Sequence, residues 1–252
     1  MSLYIAQITD CHLQADALTP YKGVDADAHL DQCLSWLQSH AEVDLLMLTG
    51  DLSNFGSGAA YLRLEQKLSN LSYPCIWLAG NHDNCETMQQ VSGQAVQQLR
   101  VFDYEHWRLL VLNTTDQPDG MGGGSVSAAQ MEELKQVLES NSQMPVCVFM
   151  HHNVVPVNSL WQDNIMLGNA KQFNVLVASN PQVKAVVCGH VHQEFDQLIG
   201  DTRFLATPSS AVQFTCEQQA FKVQAELGPG LRMLTLDDDG QVHTKVQRLP
   251  KV

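Results

Sequence analysis

Apolar and polar positions along the chain follow two periods, and together they predict an α/β protein. Short, mostly apolar runs suited to buried strands cover residues 3–9, 43–48, 73–79, 107–112, 145–150, 183–188 and 203–206. Helical spacing of apolar residues marks segments 25–40, 59–71, 86–99 and the stretch that starts at Ser127. Near the C-terminus, runs 231–236 and 242–249 flank Asp238-Asp239-Gly240, which predicts a hairpin.

Five of the apolar runs stop at side chains that can bind a metal ion. The motifs are Asp10-Cys11-His12, Gly50-Asp51, Gly80-Asn81-His82-Asp83, His151-His152 and Gly189-His190-Val191-His192. Open α/β sheets bind ligands at the carboxyl ends of their strands, so we expect these motifs to meet at one rim. Any one of them could be an ordinary turn, and Asp51 could be a helix N-cap. Five together favour a binding site.

The candidate ligands are oxygen and imidazole groups, and the set contains no thiolate. It comprises Asp10, His12, Asp51, Asn81, His151, His190 and His192. Such ligands suit iron, manganese or zinc rather than a structural zinc site. Seven ligands are more than one tetrahedral ion can bind. With Asp51 shared, they suit two divalent or trivalent ions about 3.5–4 Å apart.

Composition narrows the range of partners. The 252 residues are 44% hydrophobic, which allows a sizeable core in one domain over residues 1–252, with a strand-rich C-terminal extension around 203–250. Lysine and arginine number 14 against 27 acidic residues, a net charge of −13. A surface of this charge repels nucleic-acid polymers. A small phosphorylated substrate remains compatible with it, because bound metal ions would supply positive charge.

The sequence also indicates a cytoplasmic protein without a membrane partner. No signal peptide precedes the first strand-like run, and no apolar run reaches transmembrane length. The seven cysteines are scattered, without a Cys-x-x-Cys pair, so we expect reduced thiols. The glycine-rich stretch 119–124 lacks the Lys-Ser/Thr ending of a phosphate-binding loop and is predicted to be a flexible connector.

Taken as a set, the five motifs resemble the signature of calcineurin-like metallophosphoesterases. Stretches 188–196, 206–214 and 229–234 are further similar to bacterial class III cyclic-nucleotide phosphodiesterases of the 3′,5′-cyclic AMP type. The resemblance implies a four-layer αββα sandwich of two mixed β-sheets flanked by helices. It also implies that Asp10, His12 and His192 hold one ion, that Asn81, His151 and His190 hold the other, and that Asp51 bridges them. His151 fits the pattern better than His152 because it comes first after the strand.

The same resemblance implies hydrolysis of 3′,5′-cyclic AMP to 5′-AMP by a hydroxide held between the two ions. His82, beside ligand Asn81 but not itself a ligand, is the candidate acid that protonates the leaving ribose oxygen. Asn81, His82 and His192 would border the substrate. Asp83 and His152 would support the ligands from behind, although His152 could instead face the substrate.

Other functions fit the same metal motifs. The substrate could be a glycerophosphodiester or a 2′,3′-cyclic nucleotide, and the motifs do not separate these. A protein phosphatase is disfavoured by the acidic chain, and a non-catalytic, metal-bound scaffold is disfavoured by the complete ligand set. A homodimer is compatible with an enzyme or a scaffold. Segments 153–168 and 207–232 would select the substrate. Within them, Trp161 or Phe214 could stack on adenine, although packing is the simpler role for each.

Overall fold

The computed structural model describes residues 2–251, and its core is a pair of facing β-sheets. The first sheet contains β1 (Leu3–Ile8), β2 (Leu45–Thr49), β3 (Cys75–Leu78), β12 (Gly230–Leu236) and β13 (Val242–Arg248), in the order β13-β12-β1-β2-β3. The second contains β4 (Arg100–Asp103), β5 (Arg108–Val111), β6 (Val146–Phe149), β7 (Val183–Cys188), β8 (Phe195–Ile199) and β9 (Thr202–Ala206), in the order β4-β5-β6-β7-β9-β8. A small ribbon pairs β10 (Gln213–Phe214) with β11 (Val223–Gln224).

Both sheets are mixed, with parallel strands at their centres. Strands β1, β2 and β3 run parallel, as do β5, β6, β7 and β9. Strand β12 is antiparallel to β1, and β4 and β8 are antiparallel edge strands of the second sheet. The parallel strands of each sheet therefore deliver their carboxyl ends to one edge.

The helices connect the parallel strands. They are α1 (Ala26–His40), α2 (Gly58–Leu68), α3 (Cys85–Ser92), α4 (Ala128–Ser140), α5 (Leu160–Asp163) and α6 (Ala170–Ala178). Asp25 caps the start of helix α1, and its side chain accepts a hydrogen bond from the Ala28 amide. The prediction that α3 continues to residue 99 is wrong, because Gly93 ends the helix in the left-handed region at φ +69°.

Successive side chains of the central strands point to opposite faces of each sheet, and the packing on these faces creates four layers. In β2, Leu46 and Leu48 pack on the helical side, with residues of α1 and α2. Leu45 and Met47 point the other way, into a core shared by both sheets. Strand β7 alternates likewise between the helices of the second sheet and the shared core. The expected architecture of two mixed sheets flanked by helices is confirmed.

Several elements were not predicted from the sequence. Strand β8 lies at a sheet edge and carries polar residues, so it lacks the apolar run that marks a buried strand. Helix α6 follows the irregular segment 153–168, within which α5 forms a single turn. Within residues 2–251, no helix combines the length and apolar character needed to cross a membrane.

Candidate metal centre

The five polar motifs lie together where the carboxyl ends of the two sheets meet. Asp10 and His12 follow β1, Asp51 follows β2, Asn81 follows β3, His151 follows β6, and His190 and His192 follow β7. The histidines and aspartates form overlapping groups in which the possible ligand atoms all lie within 4.8 Å of one another. The structure thus brings together all seven side chains expected to bind metal. Binding itself stays a prediction.

The first group combines Asp10, His12 and His192. His12 Nε2 lies 3.1 Å from His192 Nε2, which in turn lies 3.3 Å from Asp10 Oδ1. All three side chains are buried. Two imidazole nitrogens and one carboxylate oxygen therefore converge on one point.

The second group combines Asn81, His151 and His190, and Asp51 lies between the two groups. Asn81 Oδ1 is 3.1 Å from His151 Nε2 and 3.0 Å from His190 Nδ1. Asp51 Oδ1 is 3.5 Å from His151 Nε2, whereas Asp51 Oδ2 is 3.7 Å from His12 Nε2. One oxygen of Asp51 faces each group, which is the arrangement that a bridging carboxylate needs.

In three of the imidazoles, a hydrogen bond from one ring nitrogen determines which of the two nitrogens is free to bind a metal ion. His151 Nδ1 donates to the Thr49 carbonyl at 2.9 Å, His192 Nδ1 donates to the Val212 carbonyl at 2.7 Å, and His190 Nε2 donates to the Ile165 carbonyl at 3.1 Å. In a neutral ring the other nitrogen then carries a lone pair. These lone pairs face carboxylate or amide oxygens, which are also acceptors. Because acceptors repel one another unless a cation lies between them, the donor set fits metal ions.

Burial keeps the imidazoles of His12 and His190 neutral, as metal binding requires. It lowers the pKa of His12 and His190 well below the usual value, and neighbouring histidines lower it further. Burial also lowers the pKa of His151, but the carboxylates of Asp51 and Asp10 outweigh this and raise it overall. His12 Nδ1 is buried without a hydrogen-bond partner. The buried carboxylates of Asp10 and Asp51 therefore lie beside imidazole nitrogens that, in the neutral rings, have no proton to donate to them.

His152 lies beside the ligand groups but has no free ring nitrogen. Its Nδ1 accepts from the Thr114 hydroxyl at 2.7 Å, and its Nε2 donates to the Gly122 carbonyl at 2.9 Å. Burial lowers its pKa to about 3, with the neighbouring His151 adding to the effect. These bonds favour a supporting role over direct metal binding. They also give the 119–124 loop, which was predicted only as a connector, a contact behind the site.

His82 differs from the ligand candidates because its side chain is 37% exposed. Its Nδ1 donates to the Asn54 carbonyl at 2.9 Å, which leaves Nε2 as the free nitrogen, 4.0 Å from Asp51 Oδ2. Its backbone amide also donates to Asp51 Oδ1 at 2.9 Å. A histidine that borders the site and also contacts solvent can donate a proton to a group bound in the site and take one up from water.

Asp83 joins the turns that follow β2 and β3. Its Oδ1 accepts from the Ser53 amide at 2.9 Å and the Tyr61 hydroxyl at 2.8 Å. Its Oδ2 accepts from the Gly80 amide at 2.9 Å and the Leu52 amide at 3.1 Å. Asp83 therefore holds the backbone directly after the candidate ligand Asp51 and directly before the candidate ligand Asn81.

The comparison with protein families agrees with this geometry. The sequence profile of the calcineurin-like phosphoesterases matches residues 3–194, which include all five motifs. The chain belongs to this family. The resemblance identified from the five motifs is thereby confirmed.

Relatives of this phosphoesterase match it over nearly its whole length. A 3′,5′-cyclic adenosine monophosphate phosphodiesterase, CpdA, of Pseudomonas aeruginosa is 33% identical over 252 residues, covering 100% of this chain and 92% of the relative. CpdA of Escherichia coli K12 is 36% identical over 248 residues, covering 97% and 89%. A 3′,5′-cyclic-nucleotide phosphodiesterase of Nostoc is 32% identical, covering 99% and 94%.

Solved structures show the same fold. A dimetal phosphatase from Danio rerio matches with a TM-score of 0.70 and 13% identity, covering 99% of each chain. A purple acid phosphatase from yellow lupin matches with a TM-score of 0.66 and 14% identity, covering 98% of this chain and 53% of that one. At these identities the likeness concerns the fold alone.

The backbone of this phosphoesterase is unusual at five of its seven candidate ligands. Asp10, His12, Asp51, His190 and His192 have φ values of 53°, 46°, 52°, 68° and 49°. Few residues other than glycine adopt this left-handed region, and they often do so at functional sites. The sequence signals this only indirectly, through the glycines that precede Asp51 and His190.

Both of those glycines, Gly50 and Gly189, leave no room for a side chain. A Cβ on Gly50 would lie 2.5 Å from His151 Nδ1, and a Cβ on Gly189 would meet the Thr9 hydroxyl and lie 2.7 Å from Asp10 Oδ2. Both strand ends therefore approach a candidate ligand from the other sheet as closely as the backbone permits.

Two aromatic rings behind the first ligand group have roles that the sequence analysis did not assign. Tyr21 stacks on His12 with ring centroids 4.3 Å apart, and Phe214 stacks on His192 at 4.0 Å. Each ring fixes the plane of an imidazole. No sequence motif links either residue to the metal ligands, because Tyr21 lies between β1 and α1, and Phe214 belongs to strand β10 of the small ribbon.

Proposed function

We propose that this chain is a metal-dependent phosphodiesterase that hydrolyses 3′,5′-cyclic AMP to 5′-AMP. The observation that carries the proposal is the pair of ligand groups with Asp51 between them and His82 at their open side. The full-length relatives, 32–36% identical, support the choice of substrate through their names.

The two groups would each hold one ion. Asp10, His12 and His192 would bind the first, Asn81, His151 and His190 would bind the second, and Asp51 would be shared. When bound, the ions supply Lewis acidity and positive charge at the phosphate, for which iron, manganese and zinc are all suited by this donor set. Asn81 and His192 would also border the substrate, since both belong to the rim on which the phosphate is expected.

His82 is proposed to protonate the leaving group. Hydrolysis to 5′-AMP adds the hydroxyl of water to phosphorus and breaks the bond to the ribose 3′ oxygen, which leaves poorly without a proton. Because His82 Nδ1 donates to the Asn54 carbonyl, the transferable proton belongs on Nε2, the nitrogen nearer Asp51. The exposed part of the ring lets solvent restore that proton.

Asp83 and His152 are proposed to position the ligands. Asp83 would hold the turns that carry Asp51 and Asn81. His152 would pack edge-on against His151, with ring centroids 5.0 Å apart. We further propose one domain over residues 1–252, in which the strand-rich part around 203–250 contributes to both sheets. A cytoplasmic location and a homodimer stay predictions.

Product analysis tests the proposed function. The purified protein is supplied separately with manganese, iron or zinc and offered 3′,5′-cyclic AMP, 2′,3′-cyclic AMP and a glycerophosphodiester. We expect 3′,5′-cyclic AMP to give 5′-AMP as the main product. Faster turnover of either other diester would overturn the substrate assignment. Absence of turnover of every diester, with two ions bound, would overturn the enzymatic function and favour a scaffold.

A further inference from the structure

An aromatic cluster extends from the candidate metal centre to the protein surface. It consists of Trp161, Phe214 and Phe221, whose ring centroids lie 5.1–5.3 Å apart in edge-to-face contacts. Phe214 also stacks on the ring of His192 at an interplanar angle of 14°. The cluster therefore begins in contact with a candidate ligand, and Phe221 lies one ring contact beyond Phe214.

The three rings differ in how much of their surface is free. Phe214 is 8% exposed, and one of its faces is covered by His192. Trp161 is partly buried, and its Nε1 is enclosed without a hydrogen-bond partner. Phe221 is 48% exposed. The two rings that the sequence analysis considered for adenine stacking are therefore packing residues, and Phe221 offers the accessible aromatic surface.

Lys22 adds a cation to the same surface. Its Nζ lies 4.6 Å from the centroid of the Phe221 ring and 5.4 Å from that of Tyr21. Tyr21 in turn stacks on His12, in the first ligand group. Lys22 and Phe221 thus come from separate loops. Lys22 contacts Tyr21, which stacks on His12, and Phe221 contacts Phe214, which stacks on His192. An ammonium group can donate hydrogen bonds to ring nitrogens of a purine.

We infer that Phe221 and Lys22 form the nucleobase-binding surface of this phosphoesterase. The inference rests on the proposed function, since it assigns a place to the base of the same substrate. With the phosphate at the ligand groups, the base would stack on Phe221 in place of the Lys22 ammonium group that lies over that ring, and the displaced Lys22 side chain would contact the edge of the base. Aromatic stacking recognises any base, and Lys22 adds a preference for bases with acceptors at that edge.

The test compares substrates that differ only in the base. Rates are measured on 3′,5′-cyclic AMP and on the matching ribose 3′,5′-cyclic phosphate with hydrogen in place of adenine. In Phe221→Ala and Phe221→Leu, we expect the ratio of the two kcat/KM values to fall about tenfold, a typical effect of removing one base–aromatic stack. Phe221→Tyr keeps the ring and should keep the ratio. Leu198→Ala removes a comparably exposed apolar side chain from edge strand β8 and is the matched control.

A ratio that is unchanged in Phe221→Ala, or that falls as much in Leu198→Ala, would overturn the inference. Failure of the wild-type protein to hydrolyse 3′,5′-cyclic AMP would instead overturn the proposed function. In that case, equilibrium binding of 5′-AMP against ribose 5-phosphate still decides the inference. A wild-type preference for 5′-AMP that Phe221→Ala abolishes would support it, and equal binding of both by the wild type would refute it.

Discussion

Replacing Asp83 by asparagine tests whether this carboxylate holds the turns of the candidate metal centre. Each oxygen of Asp83 accepts two hydrogen bonds. An amide group placed at Oδ1 would face the Ser53 amide, donor against donor, whereas the Tyr61 hydroxyl could turn to accept from it. The hydrogen bond from the Ser53 amide is lost, and the three remaining hydrogen bonds no longer involve a charged carboxylate. Burial, followed by the proximity of Asp51, raises the pKa of Asp83 to about 6, so removing its charge offsets part of this loss.

We expect Asp83→Asn to lower the free energy of unfolding by about 2–3 kcal/mol, at about 1.5–3 kcal/mol for each charged hydrogen bond lost. For a chain of this size, that corresponds to a fall in Tm of roughly 5–10 °C. Thermal and urea unfolding should be followed with a chelator present, because bound ions would add their own stabilisation. Tyr61→Phe removes the hydroxyl that donates to Asp83 and accepts from the Asn84 amide, so it should also destabilise the protein. A change below about 0.5 kcal/mol in Asp83→Asn, the range of ordinary surface substitutions, would refute the reasoning.

Two further predictions concern the leaving group and the strand ends. His82→Ala should reduce kcat on 3′,5′-cyclic AMP about 10²- to 10⁴-fold, the usual contribution of a general acid, but spare bis(4-nitrophenyl) phosphate, whose leaving group needs no proton. Equal losses on both substrates, measured under the same conditions, would exclude the acid role. Gly189→Ala should destabilise the protein by about 1–3 kcal/mol through overpacking against Thr9 and Asp10. Gly58→Ala, whose added Cβ has its nearest neighbour at 3.5 Å, is the control, and similar unfolding curves for the two variants would contradict the crowding argument.

The sequence predicted the central strands and the meeting of the five motifs because both follow from local patterns. A buried parallel strand is a continuous apolar run, and its carboxyl end is the next polar residue. Edge strand β8 and the β10–β11 ribbon were missed because they carry no continuous apolar run, whereas edge strand β13 was predicted from the turn residues of its hairpin with β12. Helix α3 was predicted too long because apolar spacing continues past Gly93, where the backbone turns left-handed.

Residues that support the site were harder to predict, because they act through the backbone or through distant loops. The carbonyls of Thr49, Val212 and Ile165 orient three imidazoles, and a carbonyl is present at every position in the chain. The stacking of Phe214 on His192 depends on how the β10–β11 ribbon folds against the turn that follows β7.

The left-handed backbone at five candidate ligands has a consequence for how the centre acquires its ions. Each such residue costs about 1–3 kcal/mol of conformational strain, and packing and hydrogen bonds formed during folding offset this cost. The candidate ligands are thus preorganised, and binding of the ions requires little further ordering of the backbone. Metal loading should therefore leave the far-ultraviolet circular dichroism spectrum nearly unchanged while raising Tm. A one-residue insertion or deletion in any of these turns would be poorly tolerated, because the next residue would have to adopt the same strained conformation.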